Sequence, residues 1–208
     1  MKKIAFLFLI YDIINIEELW QKFFLNVDTN KYNIYIHYKY NKPLKYFEKY
    51  KLNYCLETDY ANISLVKAQN ILLKEALKDE KNEHFIFISN SCIPLKNFEY
   101  IYNNLDISKS YFNIMPQNQC FPRCNSLMNY IDKKNIQKSS QWCILNKKHS
   151  NIMIDEEKYI ALYENIYAPD EICYITNIFI NNLKEEIITT LNCSNQANYI
   201  YKLGWNGL

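Results

Sequence analysis

The chain has 208 residues, 49% of them apolar and 16% aromatic, and a formal net charge of +2. That is enough for one domain with a sizeable core and too apolar for a disordered segment. The near-neutral balance excludes a global field steering the protein to nucleic acid or an anionic membrane. Nearly all the basic residues are Lys, and Arg123 is the one arginine, which leaves little means of bidentate base reading.

Glycine gives the sharpest exclusion. Both glycines, Gly204 and Gly207, lie at the C-terminal end. Walker-type phosphate loops and dinucleotide fingerprints need Gly where backbone approaches phosphate closely, so kinase, P-loop NTPase and NAD-dependent dehydrogenase readings are disfavoured. The seven cysteines have irregular spacing with no C-x-x-C pair, and His37, His84 and His149 are scattered. No metal site is expected, and reduced buried thiols are the simplest reading, with a short Cys120–Cys124 disulfide as the alternative.

Ile4–Ile10 reads as a fully buried strand, bounded by polar residues and without alternation. The run is short for a signal peptide and far too short to span a bilayer, so a soluble, cytoplasmic protein with no membrane span is expected. Asn15 and Glu18 form a potential capping box for a helix from Ile16 to about Leu25. Tyr32–Tyr38 is a second strand, and a weaker one is expected near Asn53–Leu56. Ser64 opens a helix to about Lys78, with Leu65, Ala68, Leu72 and Ala76 on its inner face. Phe85–Ser89 is a further strand, followed by a turn at Cys92-Ile93-Pro94 and a short helix capped by Asn97.

Residues 106–140 show no strong period and read as a long connection. Trp142–Leu145 reads as a strand, and 147–165 as helical with a break near Asp155. Ala168-Pro169-Asp170-Glu171 starts another helix, with Pro in the first turn and acids at the positive end of the dipole. Ile187–Leu191 and Tyr199–Leu203 read as two last strands. Strands and helices alternating at these intervals predict a single α/β domain, a mostly parallel sheet with helices on both faces. Ligands then bind past the carboxyl ends of the strands, in the loops after Ile10, His37, Tyr60 and Ser89.

Six blocks in this order resemble a known family. They are Ile4–Leu9 with Leu19–Phe24; Tyr35-Ile36-His37; Tyr60-Ala61-Asn62-Ile63-Ser64 running on to Gln69; Phe85–Phe98 around Ser89-Asn90-Ser91-Cys92-Ile93-Pro94-Leu95; Ser139-Ser140-Gln141-Trp142; and Ala168-Pro169-Asp170-Glu171. Together they resemble the core-2/I-branching β-1,6-N-acetylglucosaminyltransferases, with their xylosyltransferase and plant branches. The resemblance implies a GT-A-like nucleotide-sugar fold. It also implies an inverting, single-displacement transfer from a UDP-sugar, the co-substrate, to a glycan hydroxyl, without a divalent metal or other cofactor; N-acetylglucosamine is the first sugar to test.

The resemblance further implies Glu171 as the catalytic base, which suits a carboxylate placed to take the proton of an attacking hydroxyl; an ordinary first-turn acid would occupy the same place. His37, Ser64 and Lys67 fall on donor-side blocks, although a core histidine, an N-cap and a solvated lysine would read the same. Trp142 and Trp205, with Gln141 and Asp170, fall on the acceptor side, where an indole face packs against a pyranose; core packing is the alternative for each Trp. Family members carry an Arg and a Lys beyond the Glu helix that hold the donor pyrophosphate. Here Lys202 is the cation past Lys184, so either Lys202 with Lys67 or Arg123 takes that role, or a metal assists, or the chain is a minimal or inactive relative. A non-catalytic glycan- or nucleotide-sugar-binding protein on the same fold is the second reading, and a nucleic-acid-binding module, disfavoured by charge, the third.

Overall fold

The computed structural model describes residues 2–155 and 157–189, and the backbone of residues 200–202. In chain order the elements are β1 (Lys3–Ile10), α1 (Glu17–Phe24), β2 (Tyr32–Tyr38), α2 (Ser64–Ala76), β3 (Asn82–Ser89), β4 (Cys92–Pro94), α3 (Phe98–Asn104), β5 (Ser110–Phe112), β6 (Ile114–Met115), β7 (Lys138–Ser139), β8 (Ile144–Asn146), α4 (Lys147–Asp155), α5 (Cys173–Ile180), β9 (Ile187–Thr189) and β10 (Ile200–Lys202). Six strands form one sheet in the order β2-β1-β3-β8-β5-β9. β1 runs parallel to both β2 and β3, and β5 parallel to β9, while β8 is antiparallel to its neighbours.

The uninterrupted apolar run of β1 serves two cores at once. Ala5, Leu7 and Leu9 point to the face covered by α2, α4 and α5. Ile4, Phe6, Phe8 and Ile10 point to the face covered by α1 and α3. The period of two along a strand thus splits one hydrophobic segment between two layers of helices. On the α1 side Trp20 is fully buried, packs edge-on against Phe8 at 5.1 Å, and donates its indole N–H to the Cys92 carbonyl at 3.0 Å. Among the described residues no helix is long and apolar enough to cross a membrane.

Several local expectations are corrected. Asn15 does not cap α1; its backbone and side chain bond instead to Asn90. Glu17, not Glu18, is the anchoring acid, and its buried carboxylate accepts from the amides of Lys45, Tyr46 and Phe47. No strand forms at 53–56, because the Leu56 amide donates to His37 Nε2 and Cys55 Sγ accepts from the Tyr38 amide, so side chains replace the ladder. Cys92-Ile93-Pro94 is a strand, paired with β10. The connection 106–140 contributes β5 to the main sheet and a separate antiparallel pair, β6 with β7. Glu171 lies in a 3-10 turn, Pro169–Glu171, and the α-helix starts after it at Cys173. Cys120 and Cys124, by contrast, are the free, buried thiols that the sequence leads one to expect.

With no glycine before residue 204, the left-handed backbone positions fall to other residues. Asn182 (φ 57°) ends α5 in a Schellman motif: its N–H bonds to the Phe179 carbonyl and the Leu183 N–H to the Ile178 carbonyl. Ala61 (φ 55°) and Ala168 (φ 52°) are more costly, since a Cβ in this region is disfavoured by roughly 1–2 kcal/mol. The two are joined by a 2.9 Å bond from the Ala168 N–H to the Ala61 carbonyl.

All three histidines are buried and held below their ordinary value near 6.5. Burial pushes His37 and His84 to about 4. His149 is lowered by burial, opposed by the Glu186 carboxylate at 3.1 Å. At His37 and His84 the unfolded chain therefore takes up protons near pH 6.5 that the folded chain refuses until about pH 4. Stability is complete above that window and falls as pH drops through it, by about 2 kcal/mol for each of His37 and His84 at pH 5. Urea titrations at pH 7 and pH 5 check this; equal unfolding free energies would contradict it. In the same assay Ala168→Gly is expected to be neutral or stabilising by up to about 1 kcal/mol, and Ala168→Val destabilising by about 2 kcal/mol. The reverse order would show that the backbone is not strained there.

Candidate active site

The carboxyl ends of β1 and β3 open into a cleft of about 470 Å³. Leu9, Ile10 and Tyr11 reach it from β1, Lys39 from the end of β2, and Ser89 and Asn90 from β3. The segment before α2 adds Thr58, Asp59, Tyr60 and Ala61; the segment before β8 adds Ser140, Gln141 and Trp142; and the turn before α5 adds Ala168, Asp170 and Glu171. The bonded pair of left-handed alanines joins two of these walls, which fixes the Glu171 turn to the loop that precedes α2.

Glu171 stands on the cleft wall with its carboxylate one-third exposed. Its Oε2 accepts from Arg123 Nη2 at 2.8 Å and lies 3.4 Å from Lys138 Nζ. Asp170, Gln141 and Trp142 line the same cleft, so the structure brings the expected base and three of the four expected acceptor-side residues together. Gln141 Nε2 is buried without a hydrogen-bond partner among the described residues, while the Gln141 carbonyl accepts from Gln69 Nε2 at 3.4 Å. Trp142 also packs against the α2 side of the core.

The expected donor-side residues stand differently. His37 is fully buried behind the wall, with Nε2 accepting from the Leu56 amide. Ser64 does not cap α2 with its side chain; its Oγ accepts from the Asp59 amide at 2.9 Å and so shapes the loop that enters the cleft. Lys67 is exposed, pairs with Glu164 at 3.4 Å and is not part of the wall. Lys202 falls in β10, whose backbone pairs it with Cys92, and its side chain lies outside the described residues, as does all of Trp205.

Three residues of the site were not assigned their present places from the sequence. Lys39 is a wall cation, paired with Asp59 at 3.1 Å and lying over the rings of Tyr11 and Tyr40. Its signal was its position immediately after the strand that ends in His37-Tyr38. Arg123 and Lys138 reach Glu171 from the connection before β8, and no period or motif there announced the contact. Among the described residues no group of three His, Cys, Asp or Glu side chains is placed to hold a metal ion.

Comparison with known proteins agrees with this geometry. The profile of the Core-2/I-Branching enzyme family matches residues 4–198. The chain is also 29% identical over 170 residues to Glycosyltransferase BC10 from Oryza sativa subsp. japonica, an alignment covering 78% of this chain and 43% of the rice protein. The chain thus spans less than half the length of that relative. A six-stranded, mostly parallel sheet between two helical layers is the GT-A-like architecture that the six sequence blocks imply. With that match running through every wall of the cleft, the chain belongs to the core-2/I-branching enzyme family.

Proposed function

We propose that this protein transfers a sugar from a UDP-sugar to a glycan hydroxyl, with inversion and with Glu171 as general base. The observation that carries the reading is the Glu171 carboxylate on the wall of a cleft at the carboxyl ends of parallel strands, where α/β sheets bind ligands. An acceptor hydroxyl entering beside Glu171 gives its proton to the carboxylate as its oxygen bonds to the anomeric carbon. The bond from that carbon to the phosphate oxygen breaks, and UDP leaves with the electron pair. Attack and departure on opposite faces of one carbon invert it.

Asp170, Gln141 and Trp142, which line the cleft beside Glu171, are the acceptor-side residues in this reading. Trp205 is assigned to the same side by resemblance alone. On the donor side, Lys39 supplies a cation from the wall that offsets the charge developing on the leaving diphosphate, and Lys202 is assigned to the same side from the sequence alone. Ser64 and His37 support this side indirectly, by holding the Asp59 loop and the Leu56 segment. Lys67 has no direct part. No resident metal or other cofactor takes part, and N-acetylglucosamine is the first donor sugar to test.

Calorimetry with UDP is expected to show binding by both the parent protein and Glu171→Gln. A panel of UDP-sugars and glycan acceptors, read as UDP release, is expected to show turnover by the parent that falls by about 100-fold or more in the variant. Full turnover by Glu171→Gln would remove the base, and failure of UDP and every UDP-sugar to bind would remove the donor assignment. Treatment with EDTA is expected to leave turnover within about twofold of its starting value. A loss restored by added manganese or magnesium would show that a divalent cation, rather than lysine, carries the leaving group.

A further inference from the structure

We infer that Arg123 and Lys138 are positioning residues that clamp the Glu171 carboxylate by one oxygen and leave the other for the acceptor. This rests on the reading of Glu171 as base. Both cations reach Oε2, at 2.8 and 3.4 Å, and Oε1 has no hydrogen-bond partner among the described residues. Glu171 lines the cleft, whereas neither cation does, so the grip comes from behind the wall.

The clamp is itself anchored. Arg123 sits between Cys120 and Cys124, both fully buried, in a stretch whose Leu127, Ile131 and Ile136 share one core with Ile172, Cys173 and Ile175 of the Glu171 segment and α5. Lys138 lies in β7, where it pairs with Met115 of β6. The residue before it, Gln137, donates its amide to Thr176 Oγ1 and accepts from the same hydroxyl at its carbonyl, which ties the start of β7 to α5. The side chains of Arg123 and Lys138 are about four-fifths shielded from solvent, and Arg123 Nε is buried with no hydrogen-bond partner among the described residues. A guanidinium four-fifths shielded from solvent and already engaged through Nη2 is suited to fixing a neighbour and poorly suited to following a mobile diphosphate. A glutamate on a short turn has three rotatable bonds, and a base displaced by about 1 Å loses on the order of 100-fold in rate.

The test uses Arg123→Gln, Lys138→Gln, the double variant and Arg123→Lys in the full chain. Crystal structures locate the Glu171 carboxylate, calorimetry measures UDP affinity, and UDP release from UDP-N-acetylglucosamine measures turnover. In the Gln variants the carboxylate is expected to leave its place by about 1 Å or more, and kcat to fall about 10- to 100-fold, with UDP affinity and donor KM unchanged. Arg123→Lys is expected to recover most of the loss. An unmoved carboxylate in the double variant overturns the clamp. So does weakened UDP binding with kcat unchanged, which would make the two cations donor ligands. Should Arg123→Gln fail to fold, Lys138→Gln carries the same comparison, and the crystal structures decide it even where that donor is not turned over. Full turnover by Glu171→Gln, by contrast, removes the base reading while leaving the carboxylate position as measured.

Discussion

The backbone of β1 has no access to water on either face, so every one of its amides and carbonyls must be satisfied within the sheet. That constraint organises the molecule. It requires a partner on each side, and β2 and β3 supply them in parallel over almost the whole length of the strand. Parallel pairing puts three carboxyl ends at one edge and sends the return connections through helices on both faces. The cleft is the gap left at that edge, so its location follows from the desolvation of seven consecutive apolar side chains as much as from any residue that lines it.

Much of this was legible in advance because burial writes itself into composition and period. The Ile4–Ile10 run, the β2 and β3 runs and the inner face of α2 each carry a pattern set by local geometry. The errors fall where side chains do work that backbone usually does. At 53–56 a histidine ring and a thiol take the place of ladder bonds, so a segment with strand-like composition never pairs. At Asn15 a good capping residue is drawn off to Asn90 by a contact across 75 positions, which no local rule registers. β5 was hidden inside 106–140 because a three-residue strand is too short to show a period.

The site divides along the same line. Asp170, Glu171, Gln141 and Trp142 sit in compact blocks whose spacing survives translation into structure, and all four line the cleft. His37, Ser64 and Lys67 sit in equally good blocks, yet two of them act on loop amides and the third turns to Glu164. A strand end or a helix start predicts which residues are near an edge. It does not say which side chain faces the opening, because that depends on which neighbouring amides still lack a partner.

Scarcity of glycine gives the site its particular form. A tight turn that must place a carboxylate beside a loop would ordinarily use glycine at its left-handed position. Here alanine occupies that position on both walls, at residues 61 and 168, and each pays a conformational penalty. The direct bond between them returns part of that cost and makes the strained geometry mutual, since neither turn can relax without losing the bond. The same turn then carries Glu171 into the reach of two cations from the far connection. The carboxylate is thereby held from two directions, by its own backbone through Ala168 and by its side chain through Arg123 and Lys138. Rigidity at this point comes from long-range contacts among the pre-α2 loop, the 106–140 connection and α5. Those contacts span more than 100 residues of sequence, so the carboxylate's address depends on the completed tertiary fold and not on the Pro-Asp-Glu triplet alone.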